Sequence, residues 1–200
     1  AKVGIVIGDP CGIGPEVVVK AWASGQLHEI CRPVLIGSAA AVRQAIDQRG
    51  LNSRLRVIDA PERMSGRADT IDIIDSGALD PADITPGADN LACGRATGAW
   101  LDEADGLARA GRLGATVMGP ISSGAMQMAG MLDRVVQVRP GHSYLLLASG
   151  ALRVAHLTDH VALREEGLDP VRQGFIAHDR RGLGRVRPAD DHDHPPRDQA

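Results

Sequence analysis

Apolar residues in this chain come in short blocks set between polar, glycine-punctuated stretches. Residues 3–7, 33–36, 55–58, 115–118 and 153–157 are such blocks, mostly aliphatic and often β-branched. Blocks of this length predict strands of a parallel sheet, buried on both faces. Between them the period lengthens to that of helices. Residues 93–110 place Ala96, Ala99, Trp100, Ala104, Leu107 and Ala108 on one helical face. Pro15 and Glu16 suit the first turn of a helix that runs to about Trp22. Ser38 can cap a helix over 39–49 that Gly50 ends. Further helices are expected over 124–129 and, as a short apolar one, over 144–149. Residues 59–90, rich in Asp, Pro, Gly and Ser, read as a long surface excursion with a short strand or two around Ile71 to Ile74. The βαβα order implies an α/β fold, with a parallel or mixed sheet and helices on both faces.

The pattern stops after about residue 165. From Gly167 onward the chain is dense in Arg, Asp, Pro and Gly, and no period persists beyond about Ala177. Residues 1–165 are therefore expected to form the α/β region and 166–200 a poorly ordered tail. The break also predicts a truncated or frame-shifted product. Asp190 to His194 in that tail reads as solvated rather than metal-binding.

Composition narrows the function classes. With 44% hydrophobic but only 2% aromatic residues, the core must be aliphatic. A net charge of −3 argues against a nucleic-acid surface. No apolar run approaches the roughly 20 residues of a membrane span, and no leader segment is expected before the first strand. Cys11, Cys31 and Cys93 form neither a zinc spacing nor a disulfide framework, which fits a reducing cytoplasm.

Candidate chemistry gathers where strands should end. Gly8-Asp9-Pro10-Cys11-Gly12-Ile13-Gly14-Pro15-Glu16 is a strand–turn–helix connection. It is no dinucleotide fingerprint, because Val17 stands where the third glycine belongs, and no Gly-Lys-Ser/Thr makes it a P-loop. A plain tight turn and an anion-holding helix start both remain open. Gly119-Pro120-Ile121-Ser122-Ser123, Pro140-Gly141-His142-Ser143 and Thr158-Asp159-His160 follow the other blocks. Ser122 and Ser123 read as helix caps rather than nucleophiles. His142 and His160 are candidate ligands, and His156 is a packed residue of its strand.

Together these motifs resemble the 4-hydroxythreonine-4-phosphate dehydrogenase family. The carriers are Gly8 to Glu16, Met118-Gly-Pro-Ile with Met128-Ala-Gly130, Pro140 to Ser143, and Arg153 to Arg164, in the family's order. The resemblance implies an isocitrate/isopropylmalate dehydrogenase-like fold whose second lobe is incomplete here, and a homodimer. It implies NAD or NADP, a divalent metal (Zn, Mg or Co), and oxidation of a phosphorylated hydroxy acid with decarboxylation. By position, His142, Ser143, Asp9 and Gly12 would contact substrate, and His160 would bind the metal. The family commonly has a lysine where this chain has Ser122-Ser123, so a sugar-acid phosphate or a cyclic dihydrodiol acid is an alternative substrate. A non-catalytic remnant or interaction module of the same fold is the alternative function.

Overall fold

The computed structural model describes residues 1–135 and 144–156, which fall in two compact units, Ala1–Val135 and Val136–Ala200. In the first, strands β1 (Lys2–Val6), β2 (Arg32–Ile36), β3 (Arg54–Ile58), β4 (Thr70–Ile74) and β5 (Ala115–Met118) form one sheet in the order β3-β4-β2-β1-β5. Every pairing in it is parallel. The helices are α1 (Gly14–Ala23), α2 (Gln26–Ile30), α3 (Ala39–Gln48), α4 (Leu91–Arg109) and α5 (Ser123–Met128). The path from β1 through β2 to β3 steps across the sheet one way, and β4 to β5 steps back. Right-handed crossovers therefore put α1 and α3, which pack on each other, on one face and α4 on the other. Trp22 on α1 and Trp100 on α4 are the bulkiest side chains of the core, 1% and 0% exposed.

Local chemistry explains the boundaries. Ser38 caps α3 by accepting from the Ala41 N–H at 3.3 Å, as its position in the sequence implies. Asn90 caps α4 two residues earlier than the apolar period begins, accepting from Ala92 and Cys93 N–H at 2.7 and 3.3 Å. Gly94 on α4 lets α5 approach until the Ala125 carbonyl fills the space a Cβ would need.

Three expectations are corrected. The excursion over 59–90 contains β4, an inner strand buried at every position, rather than a surface strand. Its apolar pattern is interrupted by Asp72, which is 2% exposed. That carboxylate is fully engaged by Arg56 Nε at 2.6 Å, Ser65 N–H at 2.5 Å and Ser65 Oγ at 2.8 Å. A buried charge is tolerated when so bonded. Conversely β5, expected to be buried, is a sheet edge among the described residues, with Ala115 to Val117 exposed beside an open groove against α4. Finally, the apolar stretch at 144–149 is not a helix. Strand β6 (Leu146–Ser149) pairs antiparallel with β7 (Leu152–Ala155) around Gly150, whose φ of +56° makes the tight turn. Pairing of the two short strands about a glycine turn wins over a short apolar run's helix propensity.

The strand order sets the cost of truncation. Ile73→Ala on inner β4 is expected to lose about 2–5 kcal/mol in urea unfolding, while Val117→Ala on edge β5 stays within about 0.5 kcal/mol. Equal losses would contradict this order.

Candidate active site

Because all five strands of the sheet are parallel, their carboxyl ends share one edge. Gly8-Asp9 follows β1, Gly37-Ser38 follows β2, Asp75 follows β4 and Gly119-Pro120 follows β5. The turn after β1 is clamped onto the loop after β5. The Asp9 N–H donates to the Pro120 carbonyl at 2.8 Å, and the Gly119 N–H donates to Val6 O at 2.8 Å. Gly8 has φ +78°, and any Cβ on it would strike the Pro120 carbonyl. Gly14 has no such φ, yet its Cβ would strike Ile7 O and lie 3.0 Å from Pro120 O. The glycines thus serve close backbone approach as well as left-handed geometry.

Asp9 is 7% exposed. Its Oδ1 accepts the Cys11 N–H at 3.0 Å, closing the turn, while its Oδ2 lies beside exposed Gly12, 3.1 Å from where a Cβ would sit. Burial pushes the Asp9 carboxyl above its ordinary value; the Cys11 N–H pulls it back, and the charge of Asp89 pushes it further up. Asp89 in turn accepts a hydrogen bond from Ser122 Oγ. Ser122 caps α5, its Oγ accepting from Ala125 N–H at 3.1 Å, which is the role its sequence position predicts. Thr97 on α4, 2% exposed, reaches the Gly8 carbonyl at 3.4 Å. Asp89 is thus near enough for its charge to act on the buried Asp9 carboxyl.

The structure also joins two cysteines that the sequence separates. Cys11 Sγ and Cys93 Sγ lie 3.1 Å apart, both buried. With Asp9 they place three potential ligand atoms within 4.8 Å of one another. Burial, and then Cys11 itself, hold the Cys93 thiol well above its usual range. Asp89, Thr97 and this cysteine pair escape sequence reasoning. Their only signals are a cysteine inside the glycine motif and another in the first turn of the following long helix. Of the candidates, Asp9 and Gly12 share the turn, whereas His142, Ser143 and His160 lie outside the described residues. His156 donates its backbone N–H to Leu145 O at 2.9 Å beside β7.

The chain is similar to known proteins over most of its length. The family model described as pyridoxal phosphate biosynthetic protein PdxA matches residues 29–167. A Novosphingobium aromaticivorans protein named for 4-hydroxythreonine-4-phosphate dehydrogenase is 54% identical over 88% of this chain and 53% of its own length. D-threonate 4-phosphate dehydrogenase of Cupriavidus necator is 32% identical over 86% of this chain and 52% of its own. The crystal structure of a 4-hydroxythreonine-4-phosphate dehydrogenase from Burkholderia phymatum superposes with TM-score 0.70 at 28% identity, covering 86% of this chain and 55% of that one. A terephthalate 1,2-cis-dihydrodiol dehydrogenase from Burkholderia xenovorans does so with TM-score 0.56 at 32% identity, covering 82% and 50%. The chain spans about half the length of the relatives it matches.

The clamp and the carboxylate yield separate expectations. Gly8→Ala, which must displace the Pro120 carbonyl, is expected to lower the melting temperature far more than Gly77→Ala, where φ is +71° but the surrounding space is open. The latter isolates the backbone penalty of about 1–2 kcal/mol. For Asp9, the folded value lies above the ordinary 3.8. The protonated carboxyl thus stabilises the fold fully below 3.8, and that contribution is lost as pH rises through the raised folded value. Asp9→Asn, which still accepts the Cys11 N–H, should be relatively more stable at neutral pH than at pH 3, as read by denaturant melts. A pH-independent difference would contradict the raised value.

Proposed function

The chain belongs to the PdxA family of pyridoxal phosphate biosynthetic proteins, and from that premise we propose NAD(P)-dependent, metal-assisted oxidation of a small hydroxy acid as its chemistry. The substrate class is a phosphorylated hydroxy acid of the 4-phosphohydroxythreonine type, with decarboxylation of the keto acid formed. One observation carries the reading. The turn that bears the family-like motif is clamped at the carboxyl edge of the sheet, in a chain 54% identical to a relative named for this dehydrogenase.

Within that reading His160 binds the divalent ion, and His142, Ser143, Asp9 and the Gly12 turn contact the substrate. Bound there, the ion supplies Lewis acidity to the substrate oxygen and the nicotinamide supplies the hydride acceptor. The described residues suit a cation, since Asp9 offers a buried carboxylate at the strand ends that also feels the charge of Asp89. Asp9, held above its ordinary value, is the group at this edge that can keep or take up a proton near a reacting oxygen. The clamp fixes the turn before substrate arrives, so little backbone ordering is left for binding. Residues from a second copy, in a cytoplasmic homodimer, complete the proposal. No helix among the described residues is long and apolar enough to cross a membrane.

A second substrate reading has its own support. Ser122-Ser123 stand where the resembled family commonly has a lysine, and Ser122 donates to Asp89, so this pair supplies no cation for a phosphate dianion. A cyclic dihydrodiol acid, whose carboxylate carries less charge than a phosphate dianion, loses less without that lysine, and a structural neighbour of 32% identity is named for a cis-dihydrodiol dehydrogenase.

Turnover separates these readings. The full chain, given Zn²⁺, Mg²⁺ or Co²⁺ and NAD⁺ or NADP⁺, is assayed by reduced-nicotinamide fluorescence with 4-phosphohydroxythreonine and with a cis-dihydrodiol carboxylate. The expected result is calorimetric binding of metal and nicotinamide, weakened by His160→Ala, with turnover well below the roughly 10 s⁻¹ of a median enzyme. The better substrate of the two identifies the class. Absence of both metal and nicotinamide binding would replace the dehydrogenase by a non-catalytic module of this fold. Turnover at the median rate would show that half a family chain suffices.

A further inference from the structure

We propose that Asp9, Cys11 and Cys93 form a binding site for a thiophilic divalent cation of the zinc class, tying the turn after β1 to the first turn of α4. The site shares Asp9 with the substrate edge proposed above but takes its other two ligands from cysteines, and it does not rest on the dehydrogenase reading.

The donor set is the first argument. Two sulfurs and a carboxylate converge with all three donor atoms within 4.8 Å of one another, in a place where Cys11 is 3% exposed, Cys93 0% and Asp9 7%. Thiolate, thiolate and carboxylate are a zinc-type combination, and three protein ligands leave a fourth position for water. The residues come from two segments far apart in sequence, joined by the fold rather than by a local motif.

Distance is the second argument. The sulfurs are 3.1 Å apart. Two sulfurs each about 2.3 Å from a tetrahedral zinc ion stand about 3.8 Å apart, so the pair must open by several tenths of an ångström. A disulfide would need it to close by about 1 Å, to roughly 2.05 Å. The smaller movement leads to the metal site.

The surroundings are the third argument. The Thr85 N–H donates to Cys11 Sγ at 3.3 Å. An N–H directed at sulfur orients a thiolate ligand and supports its charge. The Gly87 N–H holds the Cys11 carbonyl at 2.7 Å, so the loop supplying Thr85 is fixed against the turn. Asn90 fixes the other side, accepting from the Cys93 N–H at 3.3 Å. The Gly87 and Asn90 bonds position the two cysteine segments through backbone groups and leave the sulfurs themselves unused. Binding is balanced by proton release: two thiol protons leave for one divalent ion, along with any proton on Asp9.

The test is a Cd²⁺ titration of the full, reduced chain, followed by the ultraviolet cadmium–thiolate charge-transfer band and by proton release in weak buffer. The expected result is a band saturating at one ion per chain with two or more protons released. Cys31→Ser should leave the band unchanged. Cys11→Ser and Cys93→Ser should each at least halve it, and Asp9→Asn should weaken the affinity, with far-ultraviolet dichroism checking that each variant is folded. Zn²⁺ should displace the cadmium and raise the melting temperature of the wild type clearly more than that of Cys93→Ser, a readout that does not depend on any enzyme activity. The proposal fails if no stoichiometric band forms, if Cys31→Ser removes it, or if folded Cys93→Ser keeps it whole. It fails equally if thiol counting on unreduced protein finds Cys11 and Cys93 joined as a disulfide.

Discussion

The structure at the strand ends hangs on one backbone contact, the Asp9 N–H against the Pro120 carbonyl, and on the absence of side chains around it. Gly8 and Gly14 on one segment and Gly119 on the other bring two chain segments closer than any Cβ permits. That approach fixes where α1 begins, and through Pro120 and Ser122 it fixes where α5 begins. α5 then leans on α4 through Gly94, and α4 carries Thr97 back to the Gly8 carbonyl. The loop clamp and the helix contacts close on themselves, so the turn is held from three directions.

Charge at this edge is unlike that of the sheet interior. Asp9 is buried and lifted above its ordinary value, first by burial and further by the charge of Asp89. The fold does pair a buried carboxylate elsewhere: Asp72 in β4 has Arg56 and Ser65 around it. Among the described residues the two buried carboxylates thus differ: Asp72 is matched by an arginine, while Asp9 is bonded by a backbone N–H alone.

Much of this was legible in the residues. The solid aliphatic blocks over 3–7 and 33–36, Ser38 as a cap and the small-residue face of 93–110 predict β1, β2, α3 and α4 almost to the residue. Where the pattern misled, a tertiary partner was responsible. Asp72 made β4 look like surface because its compensating bonds come from β3 and from Ser65. β5 looked buried because aliphatic composition does not reveal whether a neighbour pairs with the edge. The 144–149 stretch is too short for periodicity to separate a helix from a strand, and its pairing with β7 decided. Asp9 and Gly12 were visible from the glycine spacing, but Asp89, Thr97 and the Cys11–Cys93 pair depend on segments that meet only in three dimensions.

The two edges of the five-stranded sheet are dressed differently, and this bears on how the chain behaves in concentrated solution. β3 ends the sheet on one side with Arg54 and Arg56, charges that discourage a second chain from adding there. β5 ends it on the other with Ala115, Thr116, Val117 and Met118, carrying neither charge nor proline. Among the described residues its outer backbone groups have no strand partner, and Val117 is exposed, a combination that favours strand addition. Self-association of the described sheet should therefore favour this side over the arginine-bearing one, and solubility should respond more to a charge introduced at Val117 than to the modest net charge of the chain.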